Sequence, residues 1–320
     1  MRSDTKHILV LLPVKDEERP LFESGAEGLE FTYSTAAAAT ADEVRRADVI
    51  LGNPPMALLK NAPRLKLLHL NSAGIGGYGA PGVLNPETLL CNAAGAYGVA
   101  LSEHMLGLAL ALSKKLHRYR DAQSTGSWND LGPVGGIYGS TTLVVGFGDI
   151  GREFAKRMHA LGSRVLAIKR TAGQAPDYAE SLSTLDQLDE LLPEADFVFL
   201  SLPETPKTRG LFDRARLARM KRGAILLNVG RGSAVDSDAL CALLNDGYLA
   251  GAGLDVTEPE PLPASHPLWK CENALITPHV SGGFHMEETR RRILRNAAAN
   301  LHAFLEERPL SHIVDLKEGY

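Results

Sequence analysis

The stretch from Thr142 to Thr171, TLVVGFGDIGREFAKRMHALGSRVLAIKRT, constrains the fold of this chain more than any other. Leu143-Val144-Val145 is an apolar, β-branched run with the composition of a strand buried on both faces. It leads directly into Gly146-Phe147-Gly148-Asp149-Ile150-Gly151, a GxGxxG. A helical pattern follows, with Phe154, Met158 and Leu161 on one face and a stop at Gly162, and Arg164 to Ile168 reads as a second strand. Each glycine has a physical task. Gly146 allows the tight turn, Gly148 lets backbone approach a pyrophosphate, and Gly151 lets helix and strand pack closely. Unpaired amides at the helix start favour phosphate charge. In isolation a GxGxxG is equally an ordinary turn; framed by strand, helix and strand, residues 146–151 predict a dinucleotide site.

The unit departs from the NAD pattern at the end of its second strand. An Asp or Glu about twenty residues beyond the glycines would accept hydrogen bonds from the adenosine ribose. This chain has Lys169-Arg170-Thr171 instead. Two cations and a hydroxyl suit a 2′-phosphate that a carboxylate would repel. NADP(H) is therefore the expected cofactor, with NAD(H) still accepted. The alternative is a solvated basic corner.

The 320 residues leave room for two domains of ordinary size. A net charge of −4 gives no reason to expect nucleic acid or an anionic membrane as partner. Cys91, Cys241 and Cys271 are scattered without metal-ligand spacing, so no metal site is expected, and each reads as a small buried hydrophobe in a reducing compartment. The opening, MRSDTKHILVLLPVKDEE, has too short an apolar run for a signal peptide, and Met105 to Leu112 is too short to span a bilayer. A cytoplasmic protein is expected.

Strands are predicted at His7 to Val14, Ala47 to Leu51 and Leu65 to Leu70, with helical material at Ala41 to Arg46 and Met56 to Asn61 between them. That alternation implies a parallel α/β sheet with ligands beyond the carboxyl ends of its strands. The Gly-rich turn after the third strand, Ser72-Ala73-Gly74-Ile75-Gly76, is thus either a backbone nest for a carboxylate or a loop needing positive φ. Ser102 to Gln123 reads as one long amphipathic helix capped by Ser102, with Lys114, Lys115, His117, Arg118 and Arg120 near its far end. Residues 124–139 read as loop. Further strands are expected at Phe197 to Pro203, Ala224 to Val229, Gly251 to Val256 and Ala274 to His279, before a final helix from Met286 to Glu307. Its Arg290-Arg291-Arg292 run reads as a solvated face. A doubly wound parallel sheet thus stands on each side of the long helix.

Three polar residues fall at the ends of the late strands: Arg231 in NVGRG, Glu260 in DVTEPEP and His279 in TPH. Those ends converge on the cofactor crevice. A carboxylate beside a histidine favours its protonated form, making it a general acid, and a fixed Arg can hold a carboxylate or polarise a ketone. Singly, each has a structural explanation; together they are what hydride transfer to a 2-keto acid requires.

With these residues in place, the chain resembles the D-isomer-specific 2-hydroxyacid dehydrogenases, which include phosphoglycerate, glyoxylate/hydroxypyruvate and D-lactate dehydrogenases. GFGDIG at 146–151, NVGRG at 228–232, GLDVTEPEPLP at 253–263 with HPLW at 266–269, and TPH at 277–279 carry the likeness, and Asn92 to Met105 and the tail 314–320 extend it. The resemblance implies two α/β domains with a cleft between them. The substrate domain would take residues 1–102 and 285–320 and the dinucleotide domain 103–284, with hinges near 102–104 and 283–286. It implies that Arg231 contacts substrate, that Glu260 pairs with His279 as acid/base, and that Asp255 meets the nicotinamide carboxamide. Ser72 to Gly76 would hold the substrate carboxylate, although Gly74-Ile75-Gly76 lacks the frequent Gly-x-Asp of that turn. Leu202, Pro203, Thr208, Val229 and Gly230 complete the expected cofactor contacts, and loops 52–55 and 74–78 with Tyr97 or Phe284 the substrate pocket. The expectation is a cytoplasmic homodimer that reduces a small 2-keto acid with NADPH, glyoxylate or hydroxypyruvate first. The alternative is a cofactor-sensing scaffold like the corepressors of the same family.

Overall fold

The computed structural model describes residues 5–25, 27–171 and 173–316, so residues 1–4 of the opening stretch and 317–320 of the tail lie outside the described residues. Two units divide the chain: Met1–Tyr97 with Gly283–Tyr320, and Gly98–Gly282. The first contains β1 (His7–Val10), α1 (Pro20–Glu23), β2 (Glu30–Tyr33), α2 (Ala41–Arg46), β3 (Val49–Leu51), α3 (Met56–Leu59), β4 (Leu67–His69) and β5 (Leu89–Cys91). The second follows with α4 (Gly98–Ser113), α5 (Leu116–Ser124), β6 (Thr141–Val145), α6 (Asp149–Ala160), β7 (Arg164–Ile168), β8 (Ser181–Ser183) and α7 (Leu188–Leu191). It closes with β9 (Phe197–Leu200), α8 (Arg214–Leu217), β10 (Ile225–Asn228), α9 (Ser237–Asn245), β11 (Gly251–Leu254) and β12 (Ala274–Ile276). The last helix, α10 (Glu287–Leu305), returns to the first unit.

Both sheets are parallel throughout the described residues, ordered β2-β1-β3-β4-β5 in the first unit and β12-β11-β10-β9-β6-β7-β8 in the second. Their central strands are the apolar runs of the sequence, because a parallel strand covered by helices on both faces excludes water from every side chain. Val49–Leu51, Phe197–Leu200 and Ile225–Asn228 are buried along their whole length. In the second unit α6 packs Phe154 against Phe199 of β9, with ring centroids 4.0 Å apart.

Register then does the positioning. Val145 pairs with Ile168 and Leu200, Leu200 with Asn228, Asn228 with Leu254, and Leu254 with Ile276. The next residue of each strand therefore lies on one edge of the sheet: Gly146, Lys169, Ser201, Val229, Asp255 and Thr277. The glycine turn, the basic corner and the late strand ends share that edge.

Several expectations need correction. The helix expected from Ser102 to Gln123 is two helices, broken where Lys115 adopts a left-handed backbone with φ of 56°. It starts at Gly98, and Ser102 is a buried interior residue whose hydroxyl donates to the Val99 carbonyl rather than a cap. Asp149 serves the helix start instead, its carboxylate accepting from the Gly98 amide at 2.8 Å. Lys114 and Lys115 lie at the break and donate to the carbonyls of Gly135 and Leu131 in the following loop. Leu161 is not on the buried face of α6; it ends the helix at 42% exposure. Arg290 is buried and ion-paired with Glu18 and Glu287, not solvated. Three short strands, β2, β5 and β8, had no sequence signal. All three cysteines are buried, and Cys241 and Cys271, 30 positions apart, bring their sulfurs to 3.1 Å.

Candidate active site

The glycine turn sits between β6 and α6, and its geometry fits a dinucleotide. A Cβ at Gly151 would lie 2.0 Å from the Gly146 carbonyl oxygen, so only glycine lets the first turn of α6 press on the strand end. A Cβ at Gly148 would meet no atom within 4 Å, leaving open space over the turn. The amides of Gly148, Asp149 and Ile150 donate to no protein acceptor among the described residues, as expected at a helix start built for an anion. What residues 146–151 offer is backbone. The Phe147 ring is buried, the Asp149 carboxylate is turned to Gly98, and Ile150 is half-buried. Lys169 is half-buried one residue past β7, and Arg170 and Thr171 are exposed beyond it.

The loops after β9 and β10 are locked together by close approach. A Cβ at Gly230 would come within 2.6 Å of the Leu202 backbone. Leu202, Thr208 and Val229 are buried, and the Thr208 hydroxyl donates to the Pro203 carbonyl at 2.6 Å. Asn228, which is 1% exposed, frames the next turn: its Oδ1 accepts from the Gly230 amide and its Nδ2 donates to the Arg231 carbonyl, each at 3.0 Å. Arg231 is half-buried, and its guanidinium donates to the Gly230 carbonyl at 2.7 Å. Gly232 then meets the loop after β11, where a Cβ would lie 1.9 Å from the carbonyl group of Thr257. That contact fixes the Arg231 turn against the segment carrying Glu260.

Glu260 Oε2 lies 3.1 Å from His279 Nδ1, with both side chains nearly half exposed. With Nδ1–H donated to the carboxylate, Nε2 is the nitrogen left to exchange a proton with a substrate. The His279 backbone is left-handed, with φ of 52°, a conformation that costs a non-glycine residue about 1–3 kcal/mol unless its surroundings enforce it. Asp255 enforces it. Its carboxylate, 1% exposed, accepts from the Thr277 hydroxyl at 2.6 Å, the Val280 amide at 3.0 Å, the Ser281 amide at 3.2 Å and the Ser281 hydroxyl. The His279 amide donates to the Asp255 carbonyl at 2.9 Å. Those four donors make the Asp255 side chain the anchor of the His279 segment. Sequence reasoning missed Asn228, Thr277 and Ser281 as supports.

In the other unit, the turn after β4 has its carbonyls turned inward. Asn71 O accepts from the Tyr97 hydroxyl, Ser72 O from the Ala93 amide, Ala73 O from Asn92 Nδ2 and Gly74 O from the Ser72 hydroxyl. Asn53 braces the turn from the end of β3, accepting from the Asn71 amide and donating to Ser72 Oγ. The amides of Ala73, Gly74 and Ile75 have no protein acceptor among the described residues, and Gly76 has φ of 50°. Inward carbonyls and unsatisfied amides are the geometry of an anion nest.

Residues 106–281, more than half of the chain, match the model for the D-isomer specific 2-hydroxyacid dehydrogenase, NAD binding domain. The chain belongs to the D-isomer-specific 2-hydroxyacid dehydrogenase family. Glyoxylate/hydroxypyruvate reductase B of Erwinia tasmaniensis is 34% identical over 275 residues, covering 82% of this chain and 84% of that protein. A family protein from Aeromonas salmonicida superposes with a TM-score of 0.85 at 30% identity, covering 98% and 99% of the two chains. An NADPH-dependent glyoxylate/hydroxypyruvate reductase from Sinorhizobium meliloti, solved with NADP and sulfate, gives a TM-score of 0.82 at 26% identity over 99% and 100%. The protein is thus a D-2-hydroxyacid dehydrogenase that uses a nicotinamide cofactor and acts on small 2-keto or 2-hydroxy acids. Among the described residues, no helix is long and apolar enough to cross a membrane, and no cluster of His, Cys, Asp or Glu could hold a metal ion.

Proposed function

We propose that this dehydrogenase is an NADP(H)-preferring reductase of a small 2-keto acid, glyoxylate or hydroxypyruvate first, yielding the D-2-hydroxy acid. The observation that carries the reading is the 3.1 Å pair of Glu260 and His279 on the sheet edge that also bears the glycine turn. The Gly98–Gly282 unit would bind the dinucleotide and the other unit the substrate acid. When bound, the cofactor supplies a hydride to the ketone carbon. Glu260 orients His279 by accepting its Nδ1–H, and Nε2–H protonates the ketone oxygen. The Arg231 guanidinium, on a turn that Asn228 and Gly232 hold rigid, binds the substrate and polarises its ketone. The amides of Ala73, Gly74 and Ile75 receive the substrate carboxylate. Gly148 to Ile150 cradle the pyrophosphate, with Leu202, Pro203, Thr208, Val229 and Gly230 lining the cofactor beyond.

Cofactor preference follows from Lys169, Arg170 and Thr171, which would face a 2′-phosphate where an NAD enzyme places a carboxylate. One charge-assisted contact at this exposed corner favours NADPH by about tenfold in specificity constant. Added salt reduces the advantage. Arg170→Ala erodes it, and Lys169→Asp with Arg170→Ala moves preference toward NADH. Substrate choice rests on likeness to reductases named for glyoxylate and hydroxypyruvate. The deciding experiment follows NADPH and NADH absorbance against a panel of 2-keto acids. Turnover of glyoxylate or hydroxypyruvate, faster with NADPH, is expected; equal or better specificity constants with NADH would refute the cofactor assignment. The protein is further proposed to be a cytoplasmic homodimer. Trp128 and Tyr138 are 100% and 90% exposed in the loop after α5, the kind of aromatic surface that self-association buries. Sedimentation velocity of the Trp128→Ser variant reads this.

A further inference from the structure

The His279 segment hangs on Asp255, and one of the four donors on that carboxylate has a partner on a different element. His104 projects from α4 and places Nε2 3.0 Å from Thr277 Oγ1, and the same hydroxyl lies 2.6 Å from Asp255 Oδ1. The direction of these two bonds is fixed by proton counting. Asp255 receives donors from Val280 and Ser281 as well, so its oxygens act as acceptors only. Two acceptor oxygens at 2.6 Å without a proton between them would repel, so the single Thr277 proton points to Asp255. The Thr277 oxygen is then left with lone pairs alone, and the contact with His104 exists only if Nε2 carries a hydrogen.

We infer that His104 is a positioning residue for His279: its Nε2–H holds the Thr277 hydroxyl in the rotamer that donates to Asp255, completing the anchor that keeps His279 in its left-handed backbone. Neutral or charged, His104 makes this contact provided Nε2 is protonated. Loss of the donor frees the Thr277 hydroxyl to rotate and removes one support from a segment whose backbone conformation needs enforcement. Substrate and cofactor contacts are untouched, so the cost should appear in turnover. This role rests on the proposed reductase chemistry only for its kinetic consequence; the proton position does not.

Two measurements test it. Long-range ¹H–¹⁵N spectra of the ¹⁵N-labelled protein, with the His104 signals identified by their loss in His104→Gln, should show a protonated Nε2. An unprotonated Nε2 would overturn the inference regardless of any activity. In steady-state kinetics, His104→Leu should lower kcat about tenfold while KM and NADPH affinity hold, the size of one lost hydrogen bond. His104→Gln, which can present an amide N–H at the same reach, should recover most of that loss. Equal losses in the Leu and Gln variants would mean that His104 only fills space. If the parent protein turns over no 2-keto acid, the reductase reading fails, and the nitrogen spectra still decide where the proton lies.

Discussion

His279 is held by two separate systems, one for its ring and one for its backbone. Glu260 engages Nδ1, while Asp255 pins the residues on either side. Removing the ring should therefore remove proton transfer and little else: His279→Ala is expected to lower kcat by about two to four orders of magnitude, the range of a general acid, with NADPH affinity unchanged by fluorescence titration. Glu260→Gln keeps the shape and deletes the charge, so kcat should fall while NADPH affinity holds, because the ring loses its charge-assisted partner at Nδ1. An unchanged kcat in a folded variant would show that the Glu260 charge is not needed at the ring. The Glu260–His279 pairing was legible in the sequence because both residues lie in the segments that follow late apolar strands, on the edge where an α/β sheet gathers its ligands. Their supports were not. Thr277 and Ser281 reach Asp255 across 22 and 26 positions, a pairing set by the adjacency of β11 and β12 that no local pattern encodes.

Among elements, the β6-turn-α6-β7 unit was readable because its information is local: an apolar run, three glycines, a helical face and a second run lie in consecutive order. The helix from Gly98 was misread because no proline or glycine marks the break at Lys115, and helix-favouring residues continue on both sides of it although the buried face ends at Ser113. β2, β5 and β8 were missed because each is an outer-edge strand with partly exposed residues rather than a continuous buried run. Two glycines separate cradle from scaffold. At Gly148 a Cβ meets nothing within 4 Å, so Gly148→Ala should leave the melting temperature unchanged and weaken NADPH binding, because the methyl group enters the space read as the pyrophosphate site. Gly232→Ala drives a Cβ into the Thr257 carbonyl and should cost about 1–3 kcal/mol or more of stability as well as activity, since neither backbone can yield cheaply. Calorimetry beside isothermal titration distinguishes them; a large stability loss in Gly148→Ala would contradict the open cradle.

At the scale of the whole molecule, the first unit is assembled from both ends of the chain, and Arg290 of α10 stitches them together. Its five N–H groups are all used: two on Glu18, two on Glu287 and one on the Pro13 carbonyl. In sequence the Arg290-Arg291-Arg292 run is indistinguishable from a solvated patch, because what buries one member is Glu18, 272 positions away. Hydrogen bonding to the Arg290 guanidinium holds the Glu18 carboxyl at about 2, far below its ordinary 4.5, and Glu287 likewise at about 2. A carboxylate with a depressed folded value stabilises the native state fully above its unfolded value, and that stabilisation drains away as pH falls through 4.5 towards 2. Arg290→Met should consequently lower the melting temperature of the first unit by about 5 °C at pH 7. Below pH 4.5 the gap should narrow and nearly close by pH 2, where the parent carboxylates are about half protonated. Scanning calorimetry at a series of pH values reads this directly. A gap of equal size at pH 7 and pH 2 would mean that packing of the long side chain, rather than its charge, joins the two ends of the chain.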